Sequence, residues 1–135
     1  MPLSFIEKIA LGLSGATAVG VGTMILLWPH AFYASYGITL GDDPSLLSEL
    51  RALAAGLTTL GTLMLLGIWR SGTAQLAVAS TLVVFVAFPF GRLISCYSDG
   101  LPSGGIIAAL TLEIIIAVFC IFAFRRRLFA RTTQS

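Results

Sequence analysis

Residues 106–124, IIAALTLEIIIAVFCIFAF, form an unbroken apolar stretch whose one charged residue, Glu113, stands near its middle. Polar residues do not recur at every second position, as a strand with one wet face requires, so the run reads as a helix. Its length is close to the ~20 residues that cross a hydrocarbon core ~30 Å thick. Three more such runs precede it: Ile9–Trp28, Leu46–Trp69 and Ala74–Ile94. The chain has 135 residues, 57% of them hydrophobic and 10% charged, with a mean hydropathy of +0.97. A soluble domain carries roughly 25% charge, because its surface needs polar cover. The sequence therefore predicts an all-α integral membrane protein. It is a single four-helix transmembrane domain over residues 1–135, with helices at approximately 5–28, 44–69, 73–95 and 103–127.

Charge on the connections orients the bundle. Lys8 precedes the first run, Arg70 lies between the second and third, and Arg125, Arg126, Arg127 and Arg131 follow the fourth. Asp42, Asp43 and Asp99 occupy the other two connections. Cytoplasmic segments are rich in Lys and Arg, so both termini are expected in the cytoplasm, with the acidic connections on the opposite side. The bias has the same sign at every turn and argues against dual topology. The first run has a mixed flank, Glu7 beside Lys8, and exceeds the roughly 7–15 apolar residues of a secretory leader. It is expected to remain as the first span. The arginine-rich tail reads as an anchor on anionic lipid, not as a nucleic-acid site.

Local signals place the element ends. Asp43-Pro44 supplies an N-cap and a first-turn proline. Ser71-Gly72 and Asp99-Gly100-Leu101-Pro102 are turns, and Pro89 with Gly91 predicts a kink or local unwinding of the third helix. Ala10, Ser14, Ala18 and Gly22 form a small-residue stripe that permits close helix packing within the chain or between copies, so a homo-oligomer or membrane-complex partner is an open expectation. Trp28, Phe32, Tyr33 and Tyr36 read as an interfacial aromatic belt, and the connection Pro29–Asp43 as an anchor or lid. His30 reads as an interfacial polar cap. Cys96 and Cys120 should differ in depth by roughly 20 Å, too far for a disulfide.

An ionisable side chain within a span is costly and so marks function or pairing. Counting from Ser103, Glu113 lies about 15 Å down its helix, where a lone carboxylate would have to be neutral or paired. It shares a face with Ala109, Ala117 and Cys120. Arg92 shares one with Thr81, Phe85, Phe88, Ser95 and Cys96, and is the natural partner for Glu113. On the second helix Arg51 shares a face with Ala54, Ala55, Thr58, Thr59 and Thr62. A leucine-rich side bearing Leu53, Leu57, Leu60, Leu63, Met64 and Glu49 opposes it. This predicts that Arg51 points into the bundle and that Glu49 sits at the rim. Arg51, Arg92, Asp99 and Glu113 are thus expected together in the outer half, either as a structural ion network or as a polar pocket walled by Phe85 and Phe88.

Glu49-Leu50-Arg51-Ala52 with Gly56, then Gly91-Arg92-Leu93 with Ser95, Asp99-Gly100 with Pro102-Ser103, and finally Glu113 resemble a bacterial membrane family catalogued as domain of unknown function 4345. That family is similar to the DoxX-like four-helix proteins. Tyr36-Gly37-Ile38 fits the same pattern, and the resemblance covers nearly the whole chain. It implies a four-helix bundle of the bacterial inner (cytoplasmic) membrane and little about chemistry. The family pattern places an aromatic and paired glycines after the second-helix arginine. Here the segment reads Ala52-Leu53-Ala54-Ala55-Gly56.

Three functions follow. The first is binding of a lipophilic or amphipathic small molecule in an outward-opening pocket, with Arg51, Arg92 and Ser95 at its head, Phe85 and Phe88 along its body, and a possible role as accessory subunit. The second is a cofactor-independent isomerase or cyclase in which Glu113 is general acid or base, Asp99 the second carboxyl group and the two arginines stabilise negative charge. The third is a proton-coupled small transporter. The sequence has no Gly-rich phosphate loop, HExxH or GxSxG, and its pattern calls for no cofactor and no metal.

Overall fold

The computed structural model describes residues 2–130, and every regular element among these is a helix. The order is α1 (Phe5–Leu27), α2 (Pro29–Ala34), α3 (Pro44–Trp69), a single 3-10 turn (Ser71–Thr73), α4 (Ala74–Asp99) and α5 (Gly104–Phe129). The ends form as their residues require. Ser4 caps α1: its hydroxyl accepts the Glu7 N–H, and the Glu7 carboxylate accepts the Ser4 N–H at 2.7 Å. Asp43 caps α3 by accepting from the Ser45 N–H at 3.2 Å, with Pro44 at the first position. Gly37 at φ +77° and Gly100 at φ +96° take left-handed turns that a side chain would resist.

The four long helices form a ring in which α1 neighbours α3, α3 neighbours α4, α4 neighbours α5 and α5 closes back on α1. The α1–α3 seam is the most extensive, and small residues make it so. Ala10, Ser14, Ala18 and Gly22 are all buried. A β-carbon added to Gly61 would sit 2.8 Å from that of Ala18, and one on Gly22 would sit 2.9 Å from the Ala54 carbonyl oxygen. At Ala18 and Gly22 the stripe on α1 is therefore filled by α3 of the same chain, while Ser14 turns to α5. Leu11, Met64, Thr81, Cys120 and Phe124 complete the core, and the Ser14 hydroxyl lies 3.2 Å from Cys120 Sγ.

Each long helix is long and apolar enough to cross a membrane, yet only 22–39% of its most apolar window is buried inside the protein. Ile115, Val118 and Phe122 are 60%, 63% and 52% exposed. Apolar faces that continuous are foreign to a monomer in water and suit a hydrocarbon solvent. Lys8, Arg70 and Arg125–Arg127 gather at one end of the bundle, with the first and last described residues, and Asp42, Asp43 and Asp99 at the other. These are the basic and the acidic end of the bundle. Arg131 lies outside the described residues.

The two halves differ in packing. At the acidic end no residue of α3 before Ala54, of α4 after Pro89 or of α5 before Ile116 is fully buried. The bundle is closed toward the basic end and parts toward the acidic one. At the basic end Arg127 Nε donates to Glu7 Oε1 at 2.9 Å, with the two side chains 14% and 8% exposed. This pair joins α5 to α1.

Several expectations need correction. The Pro29–Asp43 connection contains the short helix α2. Phe32 is buried, its ring edge-on to Tyr33 and Tyr36, while Trp28 alone of the expected belt is largely exposed. The third long helix does not end near residue 95 but runs to Asp99, and it stays wound through Pro89. The inward face of α3 is rotated from the predicted one: Leu57 and Met64 are buried, and Ala55, Thr59 and Thr62 are exposed. Gly61 and Gly67 set that rotation, because the closest helix contacts form where no side chain intervenes. The exposed threonines satisfy their hydroxyls on the preceding turn, Thr59 to Ala55 O and Thr62 to Thr58 O, both at 2.8 Å.

Candidate functional site

The parting of the helices leaves a cavity of about 570 Å³ at the acidic end, within the range of small-molecule sites. All four long helices and α2 contribute to its wall. Leu57, Val84 and Phe85 form its closed floor, and Val21, Ile25, Phe32 and Ile106 line its sides. The lining is predominantly apolar. Its charged groups are Arg92 and Glu113.

Helix periodicity places Arg92 there. It follows Phe88 by one turn and Phe85 by two, so all three share the face of α4 turned to the cavity. Glu113 lies on α5 one turn before Ile116 and Ala117, the first buried residues of that helix. Arg92 Nε donates to Glu113 Oε2 at 3.0 Å and Arg92 Nη2 to Glu113 Oε1 at 3.1 Å, a two-pronged pair that joins α4 to α5. The side chains are 32% and 15% exposed. Arg92 Nη1 has no hydrogen-bond partner among the described residues, so its two N–H groups remain available to an oxygen acceptor. The Tyr33 hydroxyl stands near enough to feel the Arg92 charge. Burial raises its pKa above the ordinary 10.0, and Arg92 partly offsets that rise.

The loop after α2 roofs the cavity. Ser103 Oγ donates to the Tyr36 carbonyl at 2.5 Å, and Gly105 is packed so closely that an added β-carbon would lie 3.1 Å from Tyr36 Cα. Asp42 lies 3.2 Å from His30 Nε2, which also approaches the Gly41 carbonyl at 3.3 Å, a surface clasp in the same loop.

Of the residues singled out in the sequence, the fold brings Arg92, Glu113, Phe85, Phe88 and Ser95 to the cavity wall. It does not bring Arg51 or Asp99. Arg51 is exposed, and its guanidinium donates to the Leu26 carbonyl at the end of α1. The rotation of α3 described above turns it toward α1 instead of the interior. Asp99 is exposed in the last turn of α4, where it accepts from Ser95 Oγ at 2.9 Å. The network therefore reduces to one pair between two helices. Phe32, Tyr33 and Tyr36 are wall residues that the sequence assigns to an interfacial belt, since aromatic belts and cavity rims use the same residue types. Cys96 and Cys120 are both free thiols. Among the described residues no cluster of His, Cys, Asp and Glu is placed to hold a metal ion.

A family model described as a domain of unknown function, DUF4345, matches residues 6–124. The chain belongs to the DUF4345 family. The DUF4345 match takes in every residue of the cavity wall and ends before the arginines that follow Phe124. No curated protein and no solved structure matches the chain.

Proposed function

We propose that this protein is a multi-pass protein of the bacterial inner membrane, with both termini cytoplasmic, that binds an amphipathic small molecule in the cavity at its acidic end. The observation that carries the reading is the Arg92–Glu113 pair, set in an otherwise apolar cavity with Arg92 Nη1 unclaimed. A pair needed only for packing has no reason to adjoin a hollow of about 570 Å³. Pockets that orient small molecules combine apolar walls with a few fixed polar groups, which is the composition here. Arg92 holds the oxygen-bearing head, and Phe85 and Phe88 contact the body. The placement of Lys8, Arg70 and the C-terminal arginines supports the assigned sidedness.

Catalysis by Glu113 with Asp99 finds less support, because Asp99 stands outside the cavity and Glu113 is held by two guanidinium nitrogens. The test is extraction of the detergent-purified protein with organic solvent, followed by mass spectrometry. The unaltered protein should carry a defined amphipath that Arg92→Ala lacks while retaining its helical content and thermal midpoint. Equal loads on both proteins would overturn the reading.

A further inference from the structure

Most seams of the cavity are fastened at the acidic end, and one is not. The Arg92–Glu113 pair ties α4 to α5. The approach of Gly22 to Ala54 and Thr58, with Arg51 on the Leu26 carbonyl, ties α1 to α3. The Tyr36–Ser103 hydrogen bond holds the roof. Between α3 and α4 the close contact lies toward the basic end, where a β-carbon on Gly67 would sit 2.3 Å from that of Ala77. From that contact the antiparallel helices run outward through equal lengths to Leu53 and Gly91. Each of these residues lies about four turns along, some 20 Å away, and within about 40° of the starting face. In a closed seam Leu53 and Gly91 would touch.

They do not touch here. Leu53 is 69% exposed, Gly91 is exposed, and an added β-carbon on Gly91 would meet nothing within 4 Å. Both residues also line the cavity. The outer half of this seam carries no hydrogen bond or ion pair between α3 and α4 among the described residues. Its rim is apolar, with Phe88 41% and Leu53 69% exposed and both on the cavity wall, and it opens part-way along helices apolar enough to cross a membrane.

We infer that this gap is a side portal to the bilayer, and that the ligand is a membrane-resident amphipath with an uncharged, oxygen-bearing head, such as an ester, ketone or alcohol. The inference rests on the binding function proposed above. Glu113 already offsets the charge of Arg92, so the remaining Nη1 donors suit a neutral acceptor better than a second carboxylate. Arg92 follows Gly91 directly, which puts the donors at the depth of the portal while the tail lies through it toward lipid. The roofed acidic end accounts for a lateral route instead of an aqueous one.

The experiment uses the full chain in phosphatidylethanolamine–phosphatidylglycerol vesicles, mixed with donor vesicles carrying a diazirine-bearing monoacylglycerol. Flash photolysis at successive times and peptide mapping to single residues follow label on the cavity segment of α5, with the exposed Ile115, Val118 and Phe122 as reference. Gly91→Phe fills the portal from a position with open space. It should slow cavity labelling about tenfold or more and leave the reference unchanged. Ala52→Phe, a bulky change on an exposed part of α3 outside the cavity, should match the unaltered protein. A diazirine-bearing stearate should label the cavity less than the monoacylglycerol. Unchanged cavity labelling in Gly91→Phe overturns the portal while leaving the binding function standing. Stronger labelling by stearate overturns the neutral head. Absence of cavity labelling by either probe in the unaltered protein overturns the binding function itself.

Discussion

Gly61→Ala tests whether the α1–α3 seam holds the bundle, and with it one wall of the cavity. The new β-carbon would lie 2.8 Å from Ala18 Cβ, 2.8 Å from the Val19 backbone nitrogen and 2.9 Å from Val19 Cγ2. None of the first two can swing aside, because one is backbone and the other is fixed to it. Carbon atoms at rest stand about 3.5–4.0 Å apart, so α1 and α3 must separate by roughly 1 Å at this level. A gap of about that size forfeits a quarter to a half of the dispersion attraction of the atoms lining it. Overpacking of this kind costs about 1–3 kcal/mol, against about 1 kcal/mol returned by alanine in place of glycine within a helix. Gly20→Ala supplies the control, since a β-carbon there meets nothing within 4 Å. It should gain the helix term alone, leaving the two variants about 1–3 kcal/mol apart. Unfolding in mixed micelles of rising dodecyl sulfate content, followed by far-ultraviolet circular dichroism, measures both. A Gly61→Ala protein as stable as Gly20→Ala would refute the argument that direct backbone approach defines this seam.

Two further outcomes follow from the ion pairs. Glu113→Ala should destabilise the protein by about 2 kcal/mol, less than a fully buried pair because Arg92 retains solvent access. The exchange Arg92→Glu with Glu113→Arg should recover at least half of that loss in the same assay, and a double variant no better than Glu113→Ala would show that the two side chains do not act as a pair. Glu7→Ala at the basic end should cost more, about 3–5 kcal/mol, since Glu7 and Arg127 are more deeply enclosed. Hydrogen exchange should then accelerate in the first turn of α1 and the last turn of α5 while α4 is unaffected; uniform acceleration would mean that the pair does more than join those two ends.

The architecture was open to reading because hydrophobic run length is a local property. Four apolar runs, Asp43-Pro44 and Gly100 place the long helices to within a few residues, except where α4 continues to Asp99. The Arg92 and Glu113 faces were also readable, since helical periodicity relates each to neighbours on its own element. Arg51 was not. Its direction depends on how α3 is rotated against two partners, and Gly61 and Gly67 decide that rotation by where backbones meet. The Glu7–Arg127 pair joins opposite ends of the chain, so no local pattern points to it.

Residue type and order alone call for four helices long and apolar enough to cross a membrane, for helices in place of strands and for a basic end opposite an acidic one, because each depends on local sequence and on nothing distant. Tertiary packing decides that the helices close toward the basic end and part toward the acidic end. It also decides that one guanidinium is drawn to a carboxylate across the gap while another is left to cap a neighbouring helix. Contacts between surfaces far apart in the chain set these choices, and their energies depend on the relative rotation of whole helices, which no single run of residues contains.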